Sequence, residues 1–191
     1  MEFEGLFKKK YSHLISEAKV ISFGSFRPKK FLSSSVGLPL DAFVAYSRTD
    51  IVFLDQLRAA LVPHERVGEL RLWYDALTEP GQKWESVILD RLERARIVIL
   101  LLSNDFLQSS FCMDKELPRA LERSARGACD VIPVLVRACR YDKLALGDIQ
   151  TIRPGGKSID EHEKKDPAWE LVTREIDRVI ERIKKKSSEA R

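Results

Sequence analysis

The chain has 191 residues, 44% of them apolar, which is enough for one domain with a full core and leaves little room for a second. No apolar run reaches the roughly 20 residues that a membrane-spanning helix needs, and the first residues lack the apolar segment of a signal peptide. Three separated cysteines and three scattered histidines favour a reducing compartment over a disulfide framework or a metal site. We therefore expect a soluble cytoplasmic protein without a membrane partner.

The positive charge is concentrated at the N terminus. Residues 1–39 contain seven Lys or Arg and three Glu, a difference that equals the net charge of +4 of the whole chain. The segment has no sustained hydrophobic period and ends in a stretch of Ser, Gly and Pro, which is typical of a linker. We predict a basic arm and linker over residues 1–39, and we favour a solvated extension over a contact with nucleic acid. Its apolar residues indicate packing on this domain or on another module.

Beyond the arm, apolar runs alternate with stretches of helical periodicity up to residue 183. Five runs are predicted as strands, at residues 40–46, 69–74, 96–102, 131–136 and 157–159. Helices are predicted at residues 51–63, 82–95, 111–121 and 166–183. Pro118 should kink or divide the third helix, and Pro133 indicates that the fourth strand lies near an edge or contains a bulge. The last segment, 184–191, is predicted to be a disordered tail after a domain at 40–183.

The alternation of strands and helices predicts a doubly wound α/β fold. The leading choice is a flavodoxin-like parallel sheet of five strands in the order 2-1-3-4-5, with helices on both faces. Ligands of such sheets bind beyond the carboxyl ends of the strands, where the strand order reverses. That crevice would be formed by Tyr46, Ser47 and Arg48 after strand 1 and by Ser103 after strand 3. The loop from Asp75 to Gly81, after strand 2, could fold over it.

An acidic residue begins the second predicted helix. With Trp84 as the origin and 100° per residue, Glu85 falls at about 100°, within the arc of about 40° to 140° that Ile88, Leu92 and Leu89 define. Periodicity therefore predicts an inward-facing carboxylate at the end of the helix nearest the crevice. A first-turn Glu can equally serve only to complement the helix dipole, and periodicity alone does not separate the two interpretations.

Other candidate sites are less favoured. Cys112 and Glu116 lie one helical turn apart, but a nucleophile and base pair would need a further base, so we favour a packing role for Cys112. Pro154 and the two glycines after it match no phosphate-binding loop. A phosphate-receiving domain of similar fold would need carboxylates at the positions of Ser47 and Ser103.

Six blocks of sequence, taken together, resemble the TIR (Toll/interleukin-1 receptor) domain, and its bacterial branch in particular. The resemblance covers about residues 40–183 and leaves out the arm. The blocks occur in the family's order and spacing: Asp41–Asp50, Leu72–Asp75, Glu79–Gly81, Trp84–Glu85, Ala95–Leu107 and Phe111–Leu117. The chain departs from the pattern at Cys112, where many members carry Trp, whereas Glu116 keeps its place.

The resemblance implies an enzyme that cleaves NAD at the nicotinamide–ribose bond, with NAD as substrate and with no cofactor or metal. Counting back from the strand-3 block, we assign the catalytic glutamate of the hydrolysing members to Glu85. The other residues expected to contact the substrate lie around the same crevice: Tyr46, Ser47, Arg48, Trp73, Asp75, Trp84 and Ser103. Of these, the aromatic side chains would stack on a ring of the ligand, and Arg48 would face phosphate.

Two functions follow from the resemblance. The first is an NAD glycohydrolase, releasing ADP-ribose or a cyclic form of it, that acts in bacterial antiphage defence signalling. It would be activated by self-association through the Asp75 to Gly81 loop, under the control of another module or partner. The alternative is a non-enzymatic scaffold or virulence mimic that binds other TIR domains. The inward-facing Glu85 favours the first function, because a scaffold does not need it.

Overall fold

A computed structural model of the chain describes residues 38–75, 84–144, 146 and 149–189. The predicted arm and the loop between Asp75 and Gly81 therefore lie almost entirely outside the described residues. The strands are β1 (Leu40–Ala45), β2 (Leu70–Trp73), β3 (Ile97–Leu102) and β4 (Asp130–Leu135). The helices are α1 (Ile51–Arg66), α2 (Trp84–Arg94), α3 (Asn104–Gln108), α4 (Leu117–Ala125) and α5 (Lys165–Glu189). Short 3-10 turns lie at Arg48–Asp50, Tyr141–Lys143, Pro154–Gly156 and Ile159–Glu161, and a π-helical turn lies at Cys112–Glu116.

The four strands form one parallel sheet in the order β2-β1-β3-β4. Ala42 of β1 pairs with Ile97 of β3, and Leu40 pairs with Leu70 of β2. All six residues of β3 are buried, as a central strand covered on both faces requires. The predicted parallel α/β sheet and the order of its first four strands are confirmed. The order in which strands are added to the sheet reverses between β1 and β3.

The predicted fifth strand at residues 157–159 is wrong. Ser158 instead starts the 3-10 turn Ile159–Glu161, where the Glu161 carboxylate accepts a bond of 2.7 Å from the Ser158 backbone N–H. This capping arrangement uses the backbone donor that a strand would need. The only pairing beyond β4 in the part of the chain that is described is an isolated parallel bridge between Val134 and Ile152. Pro133 lies in β4, whose outer side carries this bridge, so its predicted place near an edge is confirmed.

Helices cover both faces of the sheet, as predicted. On one face α1 and α5 pack over Ala42 and Val44, and Trp169 of α5 is completely enclosed there. On the other face α2, α3 and α4 pack over Phe43 and Ala45. Successive residues of β1 thus serve opposite layers, because side chains alternate across a strand.

The last helix is longer than predicted. Periodic burial in α5 ends at Ile183, yet the helix continues to Glu189, into the segment that the sequence analysis assigns to a tail. Lys184 binds Glu69 at 2.7 Å, and the Ser187 hydroxyl donates to the Ile183 carbonyl at 2.9 Å. Lys and Glu are good helix formers, so a packed helix extends into solvent until its sequence stops it. Within the described ranges, no helix combines the length and apolar composition needed to cross a membrane.

Pro118 divides the predicted helix at 111–121, as expected. Proline has no N–H to donate to the preceding turn, and the chain forms a widened π-helical turn at Cys112–Glu116 before α4 begins with Pro118 in its first turn. Such turns shift side chains off the regular helical stripe and are frequent at functional sites. Here Cys112 and Glu116 are both buried, and the Cys112 thiol lies 3.4 Å from the Tyr46 carbonyl oxygen at the end of β1.

Candidate functional site

A cavity of about 230 Å³ lies beyond the carboxyl end of β1, where the sequence predicts the crevice. Four of the predicted contact residues line it together: Tyr46, Ser47, Arg48 and Asp75. The π-helical turn and the residues before it supply the other side, with Ser109, Phe111, Cys112 and Glu116. The cavity therefore lies on the α2 side of the sheet, between the end of β1 and the π-helical turn.

Asp75 joins the two residues that follow β1. It lies just beyond β2, which is the neighbour of β1, so the two strand ends bring it next to Tyr46 and Arg48. The Tyr46 hydroxyl donates to one carboxylate oxygen of Asp75, and Arg48 Nε donates to the other at 3.0 Å. Burial and, second, the bond to Asp75 raise the pKa of Tyr46 well above its usual value. The phenol thus remains protonated and acts as a hydrogen-bond donor.

Glu116 is a buried acid in the wall of this cavity. Only 4% of the residue is exposed, although Glu is almost never buried without a partner. Burial raises the pKa of its carboxyl group to about 7, the hydrogen bond with Cys112 lowers it, and the Asp75 charge raises it. Near neutral pH the group is divided between its acid and its anion, which is the range suited to acid–base or electrostatic work.

Cys112 is a neutral thiol in the same turn. Burial, followed by the charge of Glu116, raises the pKa of Cys112 to about 12. The thiolate is the reactive form of cysteine, so the raised pKa keeps the side chain unreactive at neutral pH. The structure agrees with the packing role that the sequence analysis favoured for Cys112.

Glu85 does not face the cavity, so its predicted inward orientation is wrong. Its side chain is 53% exposed and forms an ion pair of 3.4 Å with Lys115 at the outer side of the π-helical turn. Ile88 and Leu92, farther along the same helix, are buried as predicted. A helical wheel ignores position along the axis. A residue in the first turn can share the angle of core residues and still extend beyond them.

Two other predicted contact residues, Ser103 and Trp73, do not line the cavity. Ser103 is completely buried, where its side chain caps α3 by accepting a bond of 2.9 Å from the Phe106 N–H and donates to Asp50. The described side chain of Ser103 is therefore enclosed and does not line the cavity, and its binding role stays a prediction. Trp73 is half-buried and has the Arg91 guanidinium 3.6 Å from its ring centroid. Trp84 begins α2, and its side chain lies outside the described residues.

Sequence reasoning missed Glu116 as a cavity residue. Cys112 and Glu116 are spaced by one helical turn, but a regular helix gives no reason for both side chains to point toward the end of β1. The available signal was Pro118, because a proline two residues after Glu116 removes the N–H that would keep the preceding turn regular.

The chain matches the family model of the TIR domain over residues 42–167. The uncharacterized protein y4lF of Sinorhizobium fredii (strain NBRC 101917 / NGR234) is 31% identical over 146 residues, which make up 76% of this chain and 45% of that protein. The chain thus spans less than half the length of this curated relative.

Three solved TIR structures are similar to the chain at low sequence identity. The TIR domain of the Toll-related receptor TRR-2 from Hydra magnipapillata is 19% identical with a TM-score of 0.48, over 71% of this chain and 96% of that one. The RPS4 and RRS1 TIR domain heterodimer is 13% identical with a TM-score of 0.47, and the match covers 72% of this chain and 95% of that one. A third structure contains the TIR domains of the activated Roq1 resistosome, which directly recognizes the pathogen effector XopQ. It is 21% identical with a TM-score of 0.43, and the match covers 50% of this chain and 56% of that one. The family model matches well over half of the length of this chain, so the chain belongs to the TIR domain family.

Proposed function

We propose that the protein is an NAD glycohydrolase that cleaves the nicotinamide–ribose bond. The observation that carries the proposal is the position of Glu116, a carboxyl group with 4% exposure in the wall of a cavity at the switch point of the sheet. Nicotinamide leaves as a neutral molecule from a cationic parent, so the reaction needs little acid catalysis. Positive charge develops on the ribose instead, as in glycoside hydrolysis. A fixed anion in a desolvated site stabilises that charge, and we assign that role to Glu116.

The size of the cavity favours binding of one end of the dinucleotide. Sites that enclose a drug-sized ligand have volumes of roughly 300–1,000 Å³, whereas this cavity has about 230 Å³. It suits the nicotinamide and its ribose, next to Tyr46 and Glu116. The diphosphate would then lie at the mouth near Arg48, whose side chain is 73% exposed. Ser47 also lines the cavity.

Two glutamates compete for the catalytic role. Family resemblance assigned it to Glu85, and that assignment stays a prediction, while burial and position support Glu116. The test compares nicotinamide release from NAD by concentrated wild-type protein, Glu116→Gln and Glu85→Gln. The two substitutions match in chemistry and differ in whether the side chain lines the cavity.

We expect Glu116→Gln to lose activity by a factor of about 10² to 10³, as the loss of one electrostatic stabiliser does elsewhere, while Glu85→Gln retains it. The reverse result would assign catalysis to Glu85 and refute our choice. If the wild-type protein releases no nicotinamide even when clustered, the enzymatic proposal fails.

The biological setting belongs to the same proposal. We infer activation by TIR–TIR assembly, with the loop from Asp75 to Gly81 as a contact, and a role in antiphage defence signalling in the cytoplasm. We also infer that another module or a partner controls clustering. The competing function is a scaffold that binds other TIR domains. The observation that favours it is the exposure of two apolar residues, Ile51 and Val52, at the start of α1.

A further inference from the structure

Arg48 has an unusual environment for a long surface side chain. An exposed arginine normally samples many rotamers and loses that freedom when it binds a ligand. Here Arg48 Nε is held at 3.0 Å by Asp75, a residue whose own side chain is only 19% exposed. The contact joins the segment after β1 to the end of β2, at the mouth of the cavity.

Asp75 is itself fixed from a second direction. Its other carboxylate oxygen accepts the hydrogen bond of the Tyr46 hydroxyl, and Tyr46 is buried at the end of the central strand β1. The carboxylate therefore connects a rigid phenol to a flexible guanidinium. A guanidinium has five N–H donors, so its bond to Asp75 through Nε is compatible with binding of phosphate oxygens by its terminal nitrogens.

We propose that Asp75 is a positioning residue that orients the Arg48 guanidinium toward the diphosphate of a dinucleotide ligand. This rests on the proposed function, since it assumes a substrate with a nicotinamide riboside end in the cavity and a diphosphate at its mouth. In this proposal Asp75 acts on the diphosphate through Arg48. Asp75 strengthens binding because Arg48 is already ordered before the ligand arrives, so less conformational entropy is lost.

The direction of the effect separates this proposal from simple electrostatics. Asp75 is an anion close to the place of an anionic diphosphate. If only charge mattered, removing it would strengthen binding. If Asp75 orients Arg48, removing its charge weakens binding, although the site becomes more positive.

The experiment measures dissociation constants by calorimetry on the full chain. The probes are ADP-ribose, which has the diphosphate, and nicotinamide riboside, which has none. The variants are Asp75→Asn, Arg48→Lys and the double variant. Arg48→Lys changes an exposed side chain and keeps the charge, so folding is not in question, but lysine cannot reproduce the geometry of the guanidinium fork.

We expect Asp75→Asn and Arg48→Lys each to weaken ADP-ribose binding by about tenfold, the order expected for one charge-assisted contact. The double variant should be no weaker than Arg48→Lys, because Asp75 then has no arginine to orient. Nicotinamide riboside should bind all variants within about twofold of wild type. In turnover the KM for NAD should rise in Asp75→Asn, since binding of the diphosphate is weakened.

Three results would overturn the proposal: tighter or unchanged ADP-ribose binding in Asp75→Asn, additive losses in the double variant, or equal losses for both probes. ADP-ribose lacks the nicotinamide–ribose bond, so the outcomes measured with it can occur whether or not NAD is hydrolysed. The proposed NAD glycohydrolase function is tested separately, because it fails if the wild-type protein releases no nicotinamide. A wild-type chain that binds neither probe would refute both.

Discussion

The carboxyl group of Glu116 makes activity depend on pH in a defined direction. Stabilisation of positive charge on the ribose requires the anion, and the pKa of the group is raised to about 7. We expect kcat/KM for NAD to rise about tenfold per pH unit below that value and to level off above it, because this ratio reports the free enzyme.

The same measurement has an internal control. The charge of Asp75 contributes to the raised pKa of Glu116, so Asp75→Asn should move the midpoint to lower pH. Glu85→Gln, which alters an exposed carboxylate, should leave it in place. A profile that is flat between pH 5 and pH 8 would show that Glu116 is not the titrating group that matters.

Ionisation of Glu116 should also lower the free energy of unfolding of the wild-type protein as pH rises. Its pKa is about 7 in the folded protein and 4.5 as the reference for the unfolded chain, so the folded state binds the extra proton between these values. The stabilising contribution of the protonated form is complete below pH 4.5 and is lost as pH rises through 7. Glu116→Gln cannot ionise. We expect its free energy of unfolding to exceed that of the wild type increasingly with pH, by up to about 3 kcal/mol at pH 8.

Urea denaturation of both proteins at pH 5 and pH 8 checks this prediction, since the two chains differ only at the titrating position. A stability difference that is the same at both pH values would contradict it. Higher stability together with lower activity in Glu116→Gln would be the trade-off expected where a site holds a group in an unfavourable environment.

At the level of elements, α5 depends on Trp169 for its place on the sheet. Trp169 is 2% exposed, and its indole Nε1 donates to the Gln56 side chain of α1 at 2.8 Å. We expect Trp169→Ala to lower the free energy of unfolding by about 3–5 kcal/mol through the cavity it creates. Trp169→Phe keeps most of the volume and should cost clearly less. Leu171→Ala, on the exposed side of the same helix, should change stability by no more than about 0.5 kcal/mol. Urea unfolding measures all three, and equal effects for Trp169→Ala and Leu171→Ala would disprove the packing argument.

The sequence predicts those elements whose burial is periodic. The run at β3 is apolar at every position and is buried at every position, so its central place follows from composition alone. The fifth strand fails because two tendencies compete at Ser158. A short apolar alternation suggests a strand, but the Glu three residues later captures the Ser158 N–H and begins a turn. Weak local patterns of this kind are decided by the available partners, which periodicity does not include.

The site shows the same division. Tyr46, Ser47, Arg48 and Asp75 were predicted because parallel strands bring their carboxyl ends to one edge, and these residues line one cavity. Ser103 holds the equivalent position after β3, but its hydroxyl caps the next helix. Glu116 could not be placed from periodicity, because a π-helical turn breaks the 3.6-residue repeat on which that reasoning depends.

At the scale of the whole molecule, the cavity is small and open at a mouth formed partly by Asp75, the first residue of the loop predicted to mediate self-association. If self-association through this loop activates the enzyme, as the family resemblance implies, the rate per molecule must depend on concentration. We expect nicotinamide release per molecule to rise more than about tenfold when the full chain is concentrated from dilute solution or clustered on beads, as linkage of assembly to activity requires.

Clustered Glu116→Gln is the matched control, because it retains the surface of the protein and lacks the proposed anion. Its rate should stay about 10²- to 10³-fold below that of the clustered wild type under every condition. A rate per molecule that stays constant over a hundredfold range of concentration would mean that one chain contains a complete site. Assembly would then serve signalling alone, and the contact between neighbouring chains would have no part in binding the substrate.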